Sequence, residues 1–192
     1  MEHTDDIELL AGVVTKTGDL IAGVTPDQAD RPTPCPDYDV ATLVNHLCGW
    51  IRVFAAGVQG KPYEGDPGAH EAGPDPAAEF RAAAADLVDG WRARGFDGAV
   101  SLTGAGEVPA RMALNMTLME YLTHGWDLAV ATGQPVPFTE AEAEETLARA
   151  EQTLPPQYRG EGMPFGDAVP VEGDAPAVDR LVGFMGREPR PA

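Results

Sequence analysis

Glu120, His124 and Asp127 recur at helical spacing inside the run TLMEYLTHGWDLAVA, residues 117–131. At about 100° per residue the three fall within an arc of roughly 60°, stacked at i, i+4 and i+7. A carboxylate oxygen and an imidazole nitrogen one turn apart can converge on a single cation. The same pattern also describes a polar strip left facing water, and this segment alone leaves both readings open. A metal site needs a third ligand from elsewhere, and His46 offers one. It sits beside Trp50, Val53 and Gly57 on the wheel of another apolar helix, while Asn45 and Arg52 mark the wet side. Taken singly, a histidine at that edge is more often a hydrogen-bonded core residue than a ligand. Paired with a second helix that carries Glu120 and His124, it becomes a candidate ligand.

These groups must be positioned by helices, and the apolar spacing supplies them. The 117–131 run is surrounded by Met112, Leu114, Leu118, Met119, Leu122, Trp126, Leu128 and Val130, more apolar circumference than a surface helix needs. It therefore reads as a largely buried helix, from about Ala110 to Ala131, with one narrow polar seam. Ile7, Leu10, Val13, Val14, Leu20 and Ile21 predict a first helix over residues 5–24, with Asp5 and Asp6 favourable at its start. Prolines 26, 32, 34 and 36 then enforce a stiff loop. Asp39 is the expected N-cap of a second helix, 40–58, and Asp75 with Pro76 opens a third that Gly95 closes.

Residues 60–75 read as a mobile surface loop in which His70 is solvated and not a ligand. Residues 97–109 weave around Gly98, Gly104 and Gly106 as a short hairpin or an irregular crossover, without a phosphate-loop pattern. Thr139 and Glu142 form a capping box for a fifth helix with a solvated acidic face, which Pro155 and Pro156 end. After a loop over 157–173, Asp174 and Pro176 start a short terminal helix ending at Gly186, with Arg187 and Arg190 trailing. No repeat or second hydrophobic unit breaks the pattern. The expected fold is all-α: a single domain, 1–192, in which a four-helix bundle over about 5–131 carries an extra helix and a short helical C-terminal tail within the extension 132–192.

The chain of 192 residues carries a net charge of −18, which disfavours nucleic acid and anionic membrane surfaces as partners. Its two cysteines, Cys35 and Cys48, are too few for a disulfide framework and read as inert packing in a reducing compartment. The start MEHTDDIELL lacks the features of a signal peptide, and no run approaches the length of a membrane span. A cytoplasmic protein is expected.

Four segments carry a resemblance: TPC at 33–35, LVNHLCGW at 43–50, EYLTHGWDLAVATGQ at 120–134 and LVGFMGREP at 181–189. Together they resemble an actinobacterial branch of the DinB/YfiT-like metal-binding superfamily, similar to the N-terminal domain of mycothiol-dependent maleylpyruvate isomerase. The ExxxHGWDLA block is the most specific of them. The resemblance implies a DinB-like bundle holding a divalent metal through a histidine of the second helix and a Glu and a His four apart on the last. It maps these ligand roles onto His46, Glu120 and His124. Asp127 falls within the matched block and is expected to orient an imidazole or a bound water. The isomerase adds a C-terminal domain that helps to hold its substrate, and this chain has only the short tail after Pro155, which speaks against maleylpyruvate itself.

Three protein ligands on Zn2+ leave a position open, the mark of a catalytic rather than a closed site. The expected activity is therefore that of a metal-dependent thiol S-transferase or isomerase, with mycothiol as cosubstrate and a small electrophile as its target. A metal-activated water is the hydrolytic variant. Two histidines and a carboxylate also suit Fe2+ or Ni2+. The alternative is a non-catalytic metal-containing module that binds a small molecule or regulates a partner. Trp50 and Trp126 are candidate walls of the cleft, in a protein that works as a monomer or homodimer.

Overall fold

The computed structural model describes residues 2–103, 106–160 and 165–189, with side chains from residue 4 onward. Gly104 and Arg190, both named above, lie outside the described residues. Among these residues six α-helices form: α1 (Glu2–Ala22), α2 (Val40–Val58), α3 (Pro76–Arg94), α4 (Ala110–Thr132), α5 (Glu140–Thr153) and α6 (Ala177–Phe184). The first four make the expected bundle, with α1 and α2 each packed against both α3 and α4. Their facing stripes bury Leu10, Val13, Leu43, Leu47, Ile51, Phe80, Leu87, Trp91, Leu118 and Leu122 in one continuous core. Burial of this kind supplies most of the stability of short helices, which are marginal alone.

The caps act where the sequence puts them. Asp39 accepts from the Thr42 N–H at 2.8 Å and Asp75 from Ala78 at 3.0 Å. The Thr139–Glu142 capping box starts α5. Of the two options for 97–109 the hairpin forms: β1 (Ala99–Leu102) and β2 (Gly106–Pro109) pair antiparallel, with Val100 opposite Val108.

Four expectations need correction. The 60–75 segment is not a free loop. A 3-10 turn at Pro67–Ala69 packs on α2, and Gly49 allows it, since a Cβ there would lie 2.5 Å from the Pro67 carbonyl oxygen. Asn45 Oδ1 accepts the Ala72 N–H, and His70 Nε2 lies 2.7 Å from Glu79 Oε1 with only 15% of its side chain exposed. Next, α5 has a buried stripe of Ala143, Thr146, Leu147 and Ala150, where it packs on α4 and α6, and only its other side is solvated. At the start of α6 Asp174 is not the cap; the Ala177 N–H donates to Glu140 Oε1 of α5 instead. Finally, α2 is long and apolar enough to cross a membrane by length and composition, with a mean hydropathy of 1.2. Most of that window is buried against the other helices, the pattern of a core helix.

The C-terminal segment reaches back over the bundle. Phe138 docks against Gly125, where any side chain would collide with its ring at 2.6 Å. After α6 the Arg187 N–H donates to the Val182 carbonyl at 2.8 Å, and this turn aims the Arg187 side chain at α4.

Candidate metal centre

Helix α4 presents Glu120, His124 and Asp127 on one line, and α2 lays His46 opposite them. His46 Nε2 lies 2.6 Å from Glu120 Oε1, and His124 Nε2 lies 3.8 Å from the same oxygen. Ligand atoms of His46, Glu120 and His124 all fall within 4.8 Å of one another. The two imidazole centroids are 5.1 Å apart and the rings meet at 71°. The polar seam read from the sequence thus turns inward and does not face water.

Each imidazole has a second partner. Asp127 Oδ2 is 2.9 Å from His124 Nδ1. A carboxylate only accepts, so His124 carries a proton on Nδ1, and in the neutral ring Nε2 is a lone pair directed toward Glu120. Tyr38 Oη lies 2.9 Å from His46 Nδ1. Burial first, then Glu120 and Cys35, push the Tyr38 phenol up to about 12, which keeps it a neutral hydroxyl that can donate or accept.

Burial opposes the charge of Glu120. The His124 ring, the His46 hydrogen bond and, further off, Arg187 outweigh it and hold the carboxyl down at about 2. Asp127 has a fully buried side chain and is paired with Arg187, whose Nη2 donates to Oδ2 at 3.0 Å and Nε to Oδ1 at 3.4 Å. Burial disfavours the guanidinium, but Asp127 more than restores it, raising its pKa. The remaining Nη1 donates to the Met185 carbonyl at 2.7 Å.

Two sets of potential ligands therefore share His124. Cys35, His124 and Asp127 also converge within 4.8 Å, yet Arg187 already serves as the cation of that set, and burial pushes the Cys35 thiol up and keeps it protonated. In the set of His46, Glu120 and His124, potential ligand atoms converge and, among the described residues, no lysine or arginine is paired with Glu120. Nitrogen, nitrogen and carboxylate oxygen at this separation are a donor set that fits a divalent cation.

A cavity of about 360 Å3 opens beside the three groups. Trp50 lines it. Trp126 does not: it is 3% exposed and belongs to the core. Sequence reasoning missed Tyr38, Cys35 and Arg187 as cavity residues. The proline-rich loop folds back on itself, Thr33 Oγ1 donating to the Tyr38 carbonyl at 2.8 Å, and so brings Cys35 and Tyr38 to the rim. A signal for two of them was present, because the TPC and LVGFMGREP segments contain Cys35 and Arg187. Cys48 does pack inertly, its thiol pushed up to about 12 by burial.

A family model described as the mycothiol maleylpyruvate isomerase N-terminal domain matches residues 10–129. Two relatives from strains of Mycobacterium tuberculosis, named "Uncharacterized protein MT0763" and "Uncharacterized protein Rv0738", are each 36% identical over 172 residues, 89% of this chain and 91% of the relative. No solved structure matches the chain at a significant level. The span matched by the family model contains His46, Glu120, His124 and Asp127 but stops short of Arg187.

Proposed function

Because this chain belongs to the mycothiol maleylpyruvate isomerase N-terminal domain family, we propose that it is a metal-dependent enzyme of the thiol S-transferase or isomerase type, using a low-molecular-weight thiol such as mycothiol against a small electrophile. His46, Glu120 and His124 hold the metal. The observation that carries this reading is the convergence of their ligand atoms within 4.8 Å at the edge of a cavity. Zn2+ suits the donor set first, with Fe2+ and Ni2+ as alternatives. A cation bound there supplies the positive charge that favours the thiolate form of an incoming thiol.

The chain's own groups prepare the site. Asp127 accepts the hydrogen bond of the His124 Nδ1–H and leaves Nε2 as the ligating lone pair, while Arg187 holds Asp127 in place. His46 now donates Nε2–H to Glu120 and accepts from Tyr38; to ligate, it moves that proton to Nδ1, and Tyr38 turns from donor to acceptor. Glu120, with its depressed pKa, is a carboxylate at neutral pH. Trp50, Phe54 and Met119 wall the cavity and limit water around the reacting thiolate. The bundle supplies the ligands and the extension after residue 131 closes the cavity, so the chain works as one domain, in a cytoplasmic setting where such thiols stay reduced.

The test is elemental analysis of untagged protein purified without chelators, followed by an assay of mycothiol consumption across a broad panel of electrophiles. One metal per chain is expected, with thiol consumed by the native protein and neither metal nor turnover in His124→Ala. Metal and thiol binding without turnover on any electrophile assigns the chain to the non-catalytic alternative. Absence of metal from the native protein overturns both readings.

A further inference from the structure

Helix α4 turns Met116, Met119, Glu120, Thr123 and His124 toward the cavity, positions i, i+3, i+4, i+7 and i+8 of one face. Thr123 follows Glu120 by three residues and Met119 by four, so it stands one turn above the gap between a candidate ligand and an apolar wall. It is 2% exposed, and its hydroxyl oxygen is covered and has no hydrogen-bond partner among the described residues.

The other buried threonines of α1 and α4 show what is missing. Thr17, Thr117 and Thr132 each donate to the carbonyl four residues back, at 3.0, 2.7 and 2.7 Å. That bond is the common recourse of a helical hydroxyl, and Thr123 does not make it. A buried hydroxyl left unpaired is destabilising and calls for a partner. It is uncharged, so this lack stands with or without a divalent cation on His46, Glu120 and His124. Thr146 of α5 is unpaired as well, but it belongs to the stripe that packs on α4 and α6 and does not line the cavity. A threonine in a helix has two favoured χ1 wells, so hydroxyl and methyl can exchange places on the cavity wall while the backbone stays still.

Resting on the thiol-transfer reading above, we infer that Thr123 binds the thiol cosubstrate, its hydroxyl pairing with the amide of a thiol built on cysteine or cysteamine whose sulfur lies at His46, Glu120 and His124. Such thiols carry an amide a short carbon chain from the sulfur. With the sulfur held at that end, the chain follows α4, where Met116 and Met119 offer apolar contact and Thr123 a hydrogen bond. Other polar groups on the wall are committed: Tyr38 to His46, His124 to Asp127, and Arg187 to Asp127 and the Met185 carbonyl. The electrophile has no sulfur to hold one end in register with α4, and the assignment is therefore to the thiol.

The test is calorimetric titration of the zinc-loaded protein with N-acetylcysteamine and with pentane-1-thiol, the same chain without its amide. Thr123→Val is expected to weaken N-acetylcysteamine binding about five- to tenfold and to leave pentane-1-thiol within about twofold, while Thr123→Ser keeps the native affinity for both. Zinc content is expected to be the same in every variant. The melting temperature of Thr123→Val is expected to stay level or rise, as in the control Thr146→Val, because each loses an unpaired hydroxyl. The control leaves both affinities unchanged. N-acetylcysteamine binding indifferent to Thr123→Val overturns the inference alone. So does an equal loss for both thiols, which would make Thr123 a piece of wall, or a drop in zinc content or melting temperature confined to Thr123→Val. Failure of the native protein to bind either thiol sinks the thiol-transfer reading itself and takes this assignment with it.

Discussion

On the side of α4 that meets α1 and α5, Asp6 accepts from both Arg111 and Arg149, and Arg149 also reaches Glu145 and Asn115. On the side that meets α2, Glu120 accepts from His46 and faces His124, whose other nitrogen is tied to Asp127 and through it to Arg187. The second cluster is largely buried, as are Asp6 and Arg149 of the first, whereas Arg111 and Glu145 are about half exposed; both clusters join helices distant in sequence. The first contains two carboxylates and two guanidiniums, so its fixed charges balance and its donors meet acceptors. In the second, Arg187 is paired with Asp127, and among the described residues Glu120 has only imidazoles as ion-pair partners, their nitrogens converging with its oxygen. A saturated network holds elements together. One whose donors converge without a fixed cation of their own is suited to bind one.

The sharpest way to break that contrast is to remove one acid from each cluster. Glu120→Gln deletes a ligand charge and is expected to reduce metal content from one per chain to less than about a tenth, by elemental analysis, while the core keeps the bundle folded. Asp6→Asn leaves Arg149 with a weakened partner set and is expected to cost about 3 kcal/mol in denaturant unfolding with metal content unchanged. Metal loss from Asp6→Asn, or full retention by Glu120→Gln, would show that the two clusters do not differ in the way argued.

Arg187 offers a finer cut, since it lies between the two types. Arg187→Gln is expected to weaken zinc affinity roughly 10- to 100-fold in a chelator competition, because Asp127 loses the charged partner that keeps it aimed at His124. Arg187→Lys restores part of that affinity through charge alone. A tail that merely packs would shift the melting temperature of both variants and leave the affinity of each unchanged.

The legibility of these regions in the sequence follows the distance over which each interaction is made. Asp39, Asp75 and the Thr139–Glu142 box cap the helices that follow them within three residues, and the sequence displays both partners side by side. The cap of α6 comes from Glu140, 37 residues upstream, so Asp174 was the reasonable but wrong local choice. Glu120, His124 and Asp127 could be grouped because one helix repeats them, and His46 because a second apolar helix carries it. Tyr38, Cys35 and Arg187 reach the same place through a folded loop and a returning tail, which have no periodicity to read. Asp6 looked like a charge favouring a helix start. Its place in the Arg111–Arg149 network depends on α4 and α5, both formed more than a hundred residues later.

A third polar contact, smaller than either cluster, tests whether saturation alone sets the response to acid. Glu142 caps α5 through Thr139 and pairs with Lys16 of α1, its side chain 15% exposed. Burial works against its charge, but the hydrogen bonds from Lys16 and Thr139 win and hold the carboxyl below its ordinary value of 4.5. A carboxyl depressed on folding contributes stability that is complete above its unfolded value and lost as the pH falls through its folded one. Glu142→Gln should therefore cost about 1 kcal/mol at neutral pH and flatten the acid limb of the stability curve below 4.5. The measurement is denaturant unfolding from neutral to acid pH in the native and variant chains, both with metal removed, so that protonation of Glu120 and the histidines is common to the two. Parallel curves would mean that the Lys16–Glu142 pair carries no net stability, leaving the α1–α4–α5 side dependent on Asp6 and the apolar stripe of α5 alone.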